Sequence, residues 1–205
     1  MAQSRRGPTL WLGLLALLPA ACAPVYVARG GKTEVTRTPT RAPALARPVA
    51  ALQVVGPGSV KDRVQQVTEA DGPFPSFSID STSLPVDPAP DLAITLVFRA
   101  QPDHGGVGRA LYHIFRAALT LGVLPIVKPT DVVLDAVVTG REGEPLGSYH
   151  LEGSIVEIQQ LVGIFLPIGA FLTPERAGAR VIEDLVRRLY RRLEQDGILA
   201  PAPAS

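Results

Sequence analysis

The 205-residue chain has very little sulfur chemistry. It contains one cysteine, Cys22, and one methionine, Met1. A single cysteine excludes a disulfide within the chain, and it excludes the paired-cysteine sites that hold structural zinc. The only tryptophan, Trp11, also lies before Cys22. The position of Cys22 is therefore the first feature of the sequence that needs an explanation.

The sequence also lacks the motifs on which many catalytic and metal sites are built. No His-x-x-Glu-His pattern and no carboxylate cluster accompanies His104, His113 or His150, so we predict no metal site. The glycine-rich residues 104–108 lack the lysine of a phosphate loop and the full dinucleotide fingerprint. There is no Gly-x-Ser-x-Gly elbow. We predict no catalytic residue, no cofactor and no enzymatic activity, and we expect His150 to face solvent or a neighbouring strand.

Neither sign of charge dominates. The chain has 20 Lys and Arg against 19 Asp and Glu, a formal net charge of +1. Removal of Arg5 and Arg6 with an N-terminal signal would change that net charge to −1. Because nucleic-acid binding requires a strong basic surface, we do not expect a nucleic-acid partner.

The N-terminal apolar run is short. Residues 10–21 fall below the roughly 20 residues that a membrane-spanning helix needs. The run follows Arg5 and Arg6 and ends in small residues before Cys22, a pattern typical of an export signal. Plain secretion would leave an unpaired thiol in an oxidising compartment, whereas lipidation would consume it. A buried structural Cys22 is the third interpretation.

Residues 17–22, Leu-Leu-Pro-Ala-Ala-Cys, resemble the lipobox of bacterial lipoproteins. Pro19 stands where that family usually has leucine. The resemblance implies cleavage between Ala21 and Cys22, and acylation (palmitate among the chains) of Cys22 as the new N-terminus. Because Ala23 is not Asp, the resemblance also implies sorting to the outer membrane of a two-membrane bacterium. The folded part would then face the periplasm, with outer-membrane lipid as its first partner.

The rest of the chain divides into three parts. Residues 22–47 combine the lipidated cysteine with proline and basic residues and have no sustained apolar period, which predicts a disordered, Pro-rich tether. Residues 48–200 are long enough for one domain with a real core. Residues 201–205 form a disordered tail, and residues 1–21 are the signal peptide.

Within residues 48–200, apolar spacing predicts strands at 49–55, 92–98, 131–139 and 146–158. It predicts helices after Ser59, over 107–120, and from Thr173-Pro174 to Gly197. Residues 74–84 fit either a strand or a loop. The pattern predicts an α+β fold with two layers, in which about three helices pack on a mainly antiparallel sheet.

Two uncharged runs, 117–127 and 161–172, flank the predicted hairpin of strands 131–139 and 146–158. The hairpin should bring the two runs together at the end opposite its polar turn. They either fold back into the core or form an exposed apolar patch that contacts a membrane or a protein. For the second case the candidate contact residues are Leu121, Val123, Leu124, Ile164, Phe165 and Leu166.

The last predicted helix is rich in arginine. Glu183 and Asp184 precede Arg187 and Arg188 by four residues, the favourable order for helix ion pairs. Because of these pairs, we interpret most of the arginines as the solvated face of the helix. Arg188 and Arg192 are the candidate contacts for an anionic head group or an acidic partner.

Three functions remain at this point. The first is a lipid-anchored envelope lipoprotein with a non-enzymatic accessory or scaffold role, working through protein or membrane contact. The second is a periplasmic module that binds lipid or another hydrophobic ligand, which a closed apolar cavity between sheet and helices would favour. The third and weakest is an enzyme, which a polar cleft containing a histidine would favour.

Overall fold

The structure is a computed structural model that describes residues 25–37, 44–45, 48–79, 89–102, 111–112, 115, 126–159 and 173–200. These residues form an α+β fold with two layers, a sheet of six strands and two bounded helices. The strands are β1 (Val25–Arg37), β2 (Val49–Val55), β3 (Ser76–Ile79), β4 (Leu92–Pro102), β5 (Ile126–Gly140) and β6 (Pro145–Gln159). The helices are α1 (Gly58–Asp71) and α2 (Pro174–Gln195).

The strand order is β1-β6-β5-β4-β2-β3. The predicted hairpin is confirmed: β5 and β6 pair in antiparallel register from Ile126↔Gln159 to Thr139↔Pro145. The β1–β6 and β4–β5 pairs are antiparallel as well, whereas β2 pairs in parallel with both β3 and β4. The mainly antiparallel sheet is thus confirmed, with a parallel part at the β2–β3 side.

The prediction of about three helices is wrong for the part of the chain that the structure describes, which has two bounded helices. Most of the predicted helix over 107–120 lies outside the described residues. Leu111, Tyr112 and Phe115 are described and have helical backbone. Their side chains are exposed rather than packed on the sheet.

The predicted disordered tether over 22–47 needs a correction, because Val25–Arg37 forms the edge strand β1. Its register with β6 runs from Val25↔Ile158 to Arg37↔Ser148, with an irregularity between Gly30 and Thr33. The sequence analysis missed this strand because its ladder partner lies more than 100 residues away and a bulge breaks its alternation. Leu45 also belongs to the fold, pairing with Leu199 near the C-terminus.

One hydrophobic core lies between the sheet and the two helices. Alternate residues of each central strand point into it, as the period of a half-buried strand requires. In β4 these residues are Leu92, Ile94, Leu96 and Phe98, and in α2 they include Val181, Leu185, Leu189 and Leu193. The buried Tyr190 ring packs edge-on against Phe74 with centroids 5.5 Å apart, and its hydroxyl lies 2.6 Å from Thr68 Oγ1.

The ends of α2 confirm the sequence prediction. The Thr173 side chain accepts a hydrogen bond from the Arg176 amide at 3.3 Å, and Pro174 occupies the first turn. Gly197 follows the helix with φ 74°, a conformation that favours glycine. In α1 the predicted cap is wrong: Pro57 is the N-cap, and Ser59 lies inside the first turn.

Candidate functional site

Most predicted site residues lie outside the described part of the chain. These are the processing residues Ala21 and Cys22 and the apolar candidates Leu121, Val123, Leu124, Ile164, Phe165 and Leu166. His104 and His113 also lie outside it. Arg188, Arg192 and His150 are described, and so is Val127, at the end of the first uncharged run.

The sheet has two unlike ends. At one end the β5–β6 hairpin closes through the exposed charged residues Arg141, Glu142 and Glu144. At the other end the first residue of β1 pairs with the end of β6 (Val25↔Ile158), and the same β6 residue pairs with the start of β5 (Val127↔Ile158). We call this second end the pole.

Two chain connections that contain most of the predicted apolar site residues begin or end at the pole. Residues 103–125 leave β4 after Pro102 and enter β5 at Ile126, while residues 160–172 follow Gln159. Pro102 pairs with Thr130, and Ile126 pairs with Gln159. The points where both uncharged runs join the hairpin are therefore adjacent, as the sequence predicted. The start of β1 lies beside them, which the sequence did not predict.

Exposed apolar side chains occur at the pole and in the connection that starts there. Val127 is 41% exposed. Leu111, Tyr112 and Phe115 of the β4–β5 connection are 60%, 59% and 66% exposed. Leu111 and Phe115 both have helical backbone, and both side chains are exposed. These residues resemble the apolar part of a contact surface more than a protein core.

The described charges close to the pole are partly acidic. Partial burial raises the pKa of Tyr26, and the nearby Glu157 and Glu175 carboxylates raise it further. Tyr26 pairs directly with Glu157 across β1 and β6, next to the pole. Glu175 stands in the first turn of α2, where hydrogen bonds from its own backbone amide and the Thr173 side chain lower its pKa. Lys128, which is exposed beside Val127, lies opposite Glu157, so the described charges at the pole are of both signs.

Arg188 has a structural role that the sequence did not indicate. Its two terminal nitrogens donate to the Gly31 and Glu152 carbonyl oxygens, each at 2.8 Å, and Nε lies 2.9 Å from Asp184 Oδ2. The side chain is only 15% exposed. Arg188 thus holds the irregular part of β1 against β6, with its guanidinium donors directed at backbone carbonyls.

Arg192 lies one turn further along α2. Its Nη2 lies 3.3 Å from Asp196 Oδ1, and its Nη1 donates to Gln195 Oε1 at 3.4 Å. Burial raises the pKa of the Tyr149 hydroxyl, and the neighbouring Asp196 charge raises it further. The Tyr149 side chain is buried, and its hydroxyl faces Asp196. Arg192, whose side chain is 38% exposed, borders Asp196 and the buried Tyr149 at the C-terminal end of α2.

A groove of about 550 Å³ runs between α2 and β1. It is lined by Thr33, Glu34, Arg188, Arg191, Arg192 and Gln195. The arginines give it a chemistry suited to an anion. Arg188 and Arg192 already contact carbonyl and carboxylate oxygens of the protein, so most of their hydrogen-bonding groups are used within the fold.

His150 lies on the sheet face away from the helices. Its Nδ1 is 2.7 Å from Asp135 Oδ1, and its Nε2 is 3.5 Å from Glu152 Oε1. The hydrogen bond with Asp135 is the main cause that raises the pKa of His150. The predicted cross-strand position is confirmed, because Asp135 is the β5 residue directly opposite.

The described residues meet neither the requirements of a metal site nor those of a membrane-spanning helix. These residues contain no group of three or more His, Cys, Asp or Glu side chains placed to hold a metal ion. None of the helices in that part of the chain combines the length and the apolar character that crossing a membrane requires.

Comparisons with known proteins give weak similarities of overall shape. No protein-family model and no curated protein matches the chain. Among solved structures it is similar to a minor lipoprotein from Acinetobacter baumannii, at 11% identity and a TM-score of 0.38 over 78% of this chain and 100% of that one. It is also similar to a PelC dodecamer from Paraburkholderia phytofirmans, at 12% identity and a TM-score of 0.39 over 83% of this chain and 100% of that one. At these values the likeness assigns neither a family nor a function.

Proposed function

We propose that the chain is an outer-membrane lipoprotein, anchored by acylated Cys22, with a non-enzymatic accessory or scaffold role in the periplasm. The observation that carries this proposal is the spacing between Cys22 and the fold. β1 begins at Val25, so cleavage before Cys22 would leave its whole ladder with β6 intact. The lipobox-like segment thus ends three positions before a strand that is paired along β6.

The described side chains support work by contact rather than by catalysis. The His150–Asp135 pair is a cross-strand pair on the sheet face away from the helices. Arg188 and Arg192 of α2 contact carbonyl and carboxylate oxygens of the fold. The exposed apolar residues Leu111, Phe115 and Val127 suit a surface that another molecule covers.

The hydrophobic-ligand alternative has less support. The space between the sheet and helices is filled by buried side chains such as Leu96, Leu134 and Leu185, each 0% exposed. A cavity of about 220 Å³ lies at the turn end of the sheet, where Leu45 and Ile198 share its wall with charged residues. Pockets for drug-sized ligands are roughly 300–1,000 Å³ and mostly enclosed.

Two substitutions at the cleavage point test the lipid anchor and the sorting to the outer membrane separately. Cys22→Ser removes the acyl acceptor, so we expect the chain to leave the membrane fraction or to keep its signal segment uncleaved. Ala23→Asp keeps the acceptor, and the lipobox resemblance implies that the protein then stays lipidated but moves to the inner membrane. Fractionation of cells with separated membranes measures both. A Cys22→Ser chain that is cleaved and outer-membrane bound like the wild type would contradict the proposal.

The scaffold role is tested by cross-linking in intact cells followed by mass spectrometry. We expect reproducible cross-links from the folded domain to one envelope protein in the wild type. The Ala23→Asp variant is the matched control, because it carries the same domain and lipid on the other membrane. Cross-links that are scattered over abundant envelope proteins, with no preferred partner, would contradict a scaffold role.

A further inference from the structure

The sequence alone predicted Cys22 at the end of a long flexible tether, but the structure places the fold next to it. Val25 is the first residue of β1, so only Ala23 and Pro24 separate it from Cys22. Three residue steps of extended chain span at most about 10 Å. A lipid on Cys22 would therefore hold the first residue of β1 within about that distance of the membrane interface.

The position of Val25 in the sheet then fixes which end of the domain faces the membrane. Val25 pairs with Ile158, and Ile158 pairs with Val127, so all three residues lie at the pole. The charged turn that contains Arg141 and Glu142 lies at the far end of the same hairpin. A lipid on Cys22 would therefore hold the pole closer to the bilayer than the end that carries the charged turn.

We infer that the pole of the sheet rests on the bilayer that holds Cys22, with Val127 at the lipid interface. This inference rests on the proposed lipid anchor and adds a surface and an orientation to it. Val127 is 41% exposed at the pole itself. Leu111 and Phe115, 60% and 66% exposed, lie in the connection that leaves and re-enters the sheet there. An apolar surface facing a bilayer lowers its contact with water.

The charges near the pole define the kind of membrane surface that fits. The described residues at the pole carry both signs of charge: Lys128 lies opposite Glu157 across β5 and β6, and Glu157 and Glu175 lie close enough to Tyr26 to raise its pKa, so this region is not a basic patch. Attraction to anionic head groups needs clustered Lys and Arg. The contact should therefore be apolar, should form on neutral phosphatidylcholine, and should depend little on salt.

A matched pair of tryptophan variants tests the orientation. Val127 and Val137 lie on the same face of β5 with similar exposure, 41% and 45%. Ten residues of strand separate them by about 33 Å. The mature chain would contain no tryptophan of its own, because Trp11 precedes Cys22. Val127→Trp and Val137→Trp therefore each give one fluorophore, one at the pole and one near the charged turn.

The experiment uses the full lipidated chain, purified from membranes and reconstituted into neutral phosphatidylcholine vesicles with brominated acyl chains. We expect bromine to quench the fluorescence of the Val127→Trp protein several-fold more than that of the Val137→Trp protein. Equal quenching of the two variants, or quenching of neither, would overturn the inference. A Val127→Trp signal that depends on protein density but not on bromine would overturn it too, because a second copy of the chain would then cover the pole.

A second pair keeps the test valid if one variant fails to fold. Phe115→Trp reports on the β4–β5 connection, and Val55→Trp is its control at the C-terminal end of β2, where the native side chain is 48% exposed. Mass spectrometry of the same samples separates the two claims. Protein without a diacylglyceryl group on Cys22 contradicts the proposed function and takes this inference with it. Lipidated protein with equal quenching contradicts the orientation alone.

Discussion

Arg188 is a charged residue that the sequence places on a helix surface but that hydrogen-bonds to the backbone of two strands. In the sequence Arg188 belongs to an arginine-rich helix face, and Asp184, four residues earlier, predicts an ion pair with it. In the structure Asp184 is present as expected, but the guanidinium also donates to the carbonyls of Gly31 and Glu152. No sequence signal indicated the second role, because both carbonyls belong to strands distant in the chain.

Replacing Arg188 with alanine should therefore destabilise the fold. The substitution removes two charge-assisted hydrogen bonds to backbone carbonyls, a loss of about 1–3 kcal/mol. Urea unfolding measures it. Arg191→Ala is the matched control, since Arg191 is an exposed arginine on the same helix and should change stability by less than about 0.5 kcal/mol. Equal losses in the two variants would contradict the structural role.

His150 provides a pH-dependent contribution at the same scale. Its pKa is raised above the ordinary value of 6.5, first through the hydrogen bond with Asp135. A raised folded-state pKa means that the charged form is stabilised by folding. That stability should be fully present below pH 6.5 and be lost as the pH rises through the folded-state pKa.

NMR titration of His150 measures this directly. We expect a pKa above 6.5 in the wild type and a lower value in Asp135→Asn. Asn keeps the size of the side chain and a hydrogen-bond acceptor but removes the carboxylate charge. A His150 pKa that is the same in the two proteins would show that Asp135 is not the cause.

The contact between α2 and the sheet depends on a small residue in β6. A Cβ atom added at Gly153 would lie 2.8 Å from Val181 Cγ1, which is closer than side-chain carbons pack. Gly153 therefore lets α2 approach the sheet beside Leu185. Local sequence does not reveal this role, because it depends on a helix that follows later in the chain.

Gly153→Ala should accordingly lower stability by about 1–3 kcal/mol through overpacking. Gly58→Ala is the control at the start of α1, where an added Cβ meets nothing within 4 Å. Because alanine favours helix, Gly58→Ala should be neutral or stabilising by up to about 1 kcal/mol. Thermal and denaturant unfolding compare the two, and a Gly153→Ala protein as stable as Gly58→Ala would contradict this packing.

Elements that carry their own signal were predicted well from sequence. The α2 start at Thr173-Pro174, the β5–β6 hairpin and the apolar face of α1 all follow from local caps, turns and periodicity. β1 was not predicted, and it is the clearest case of an element that depends on residues distant in the chain. Its stability comes from a ladder with β6 and from Arg188, neither of which local sequence encodes.

At the scale of the whole molecule, that one strand changes the proposed arrangement at the membrane. A tether would have left the domain free to turn in any direction above the lipid. β1 begins at the pole with Val25, three positions after Cys22, and the end of β6 and the start of β5 also lie there. The parallel insertion of β2 between β4 and β3 was likewise beyond the sequence, since strand order depends on non-local pairing.

The proposed location, and the orientation that rests on it, depend on the chemistry of Cys22. The most direct test is tandem mass spectrometry of the N-terminal peptide of the full-length gene product, extracted from the membranes of a two-membrane bacterium. We expect the peptide to begin at Cys22 and to carry a diacylglyceryl group. A peptide that begins before Cys22, or an N-terminal Cys22 with no lipid, would contradict the proposal.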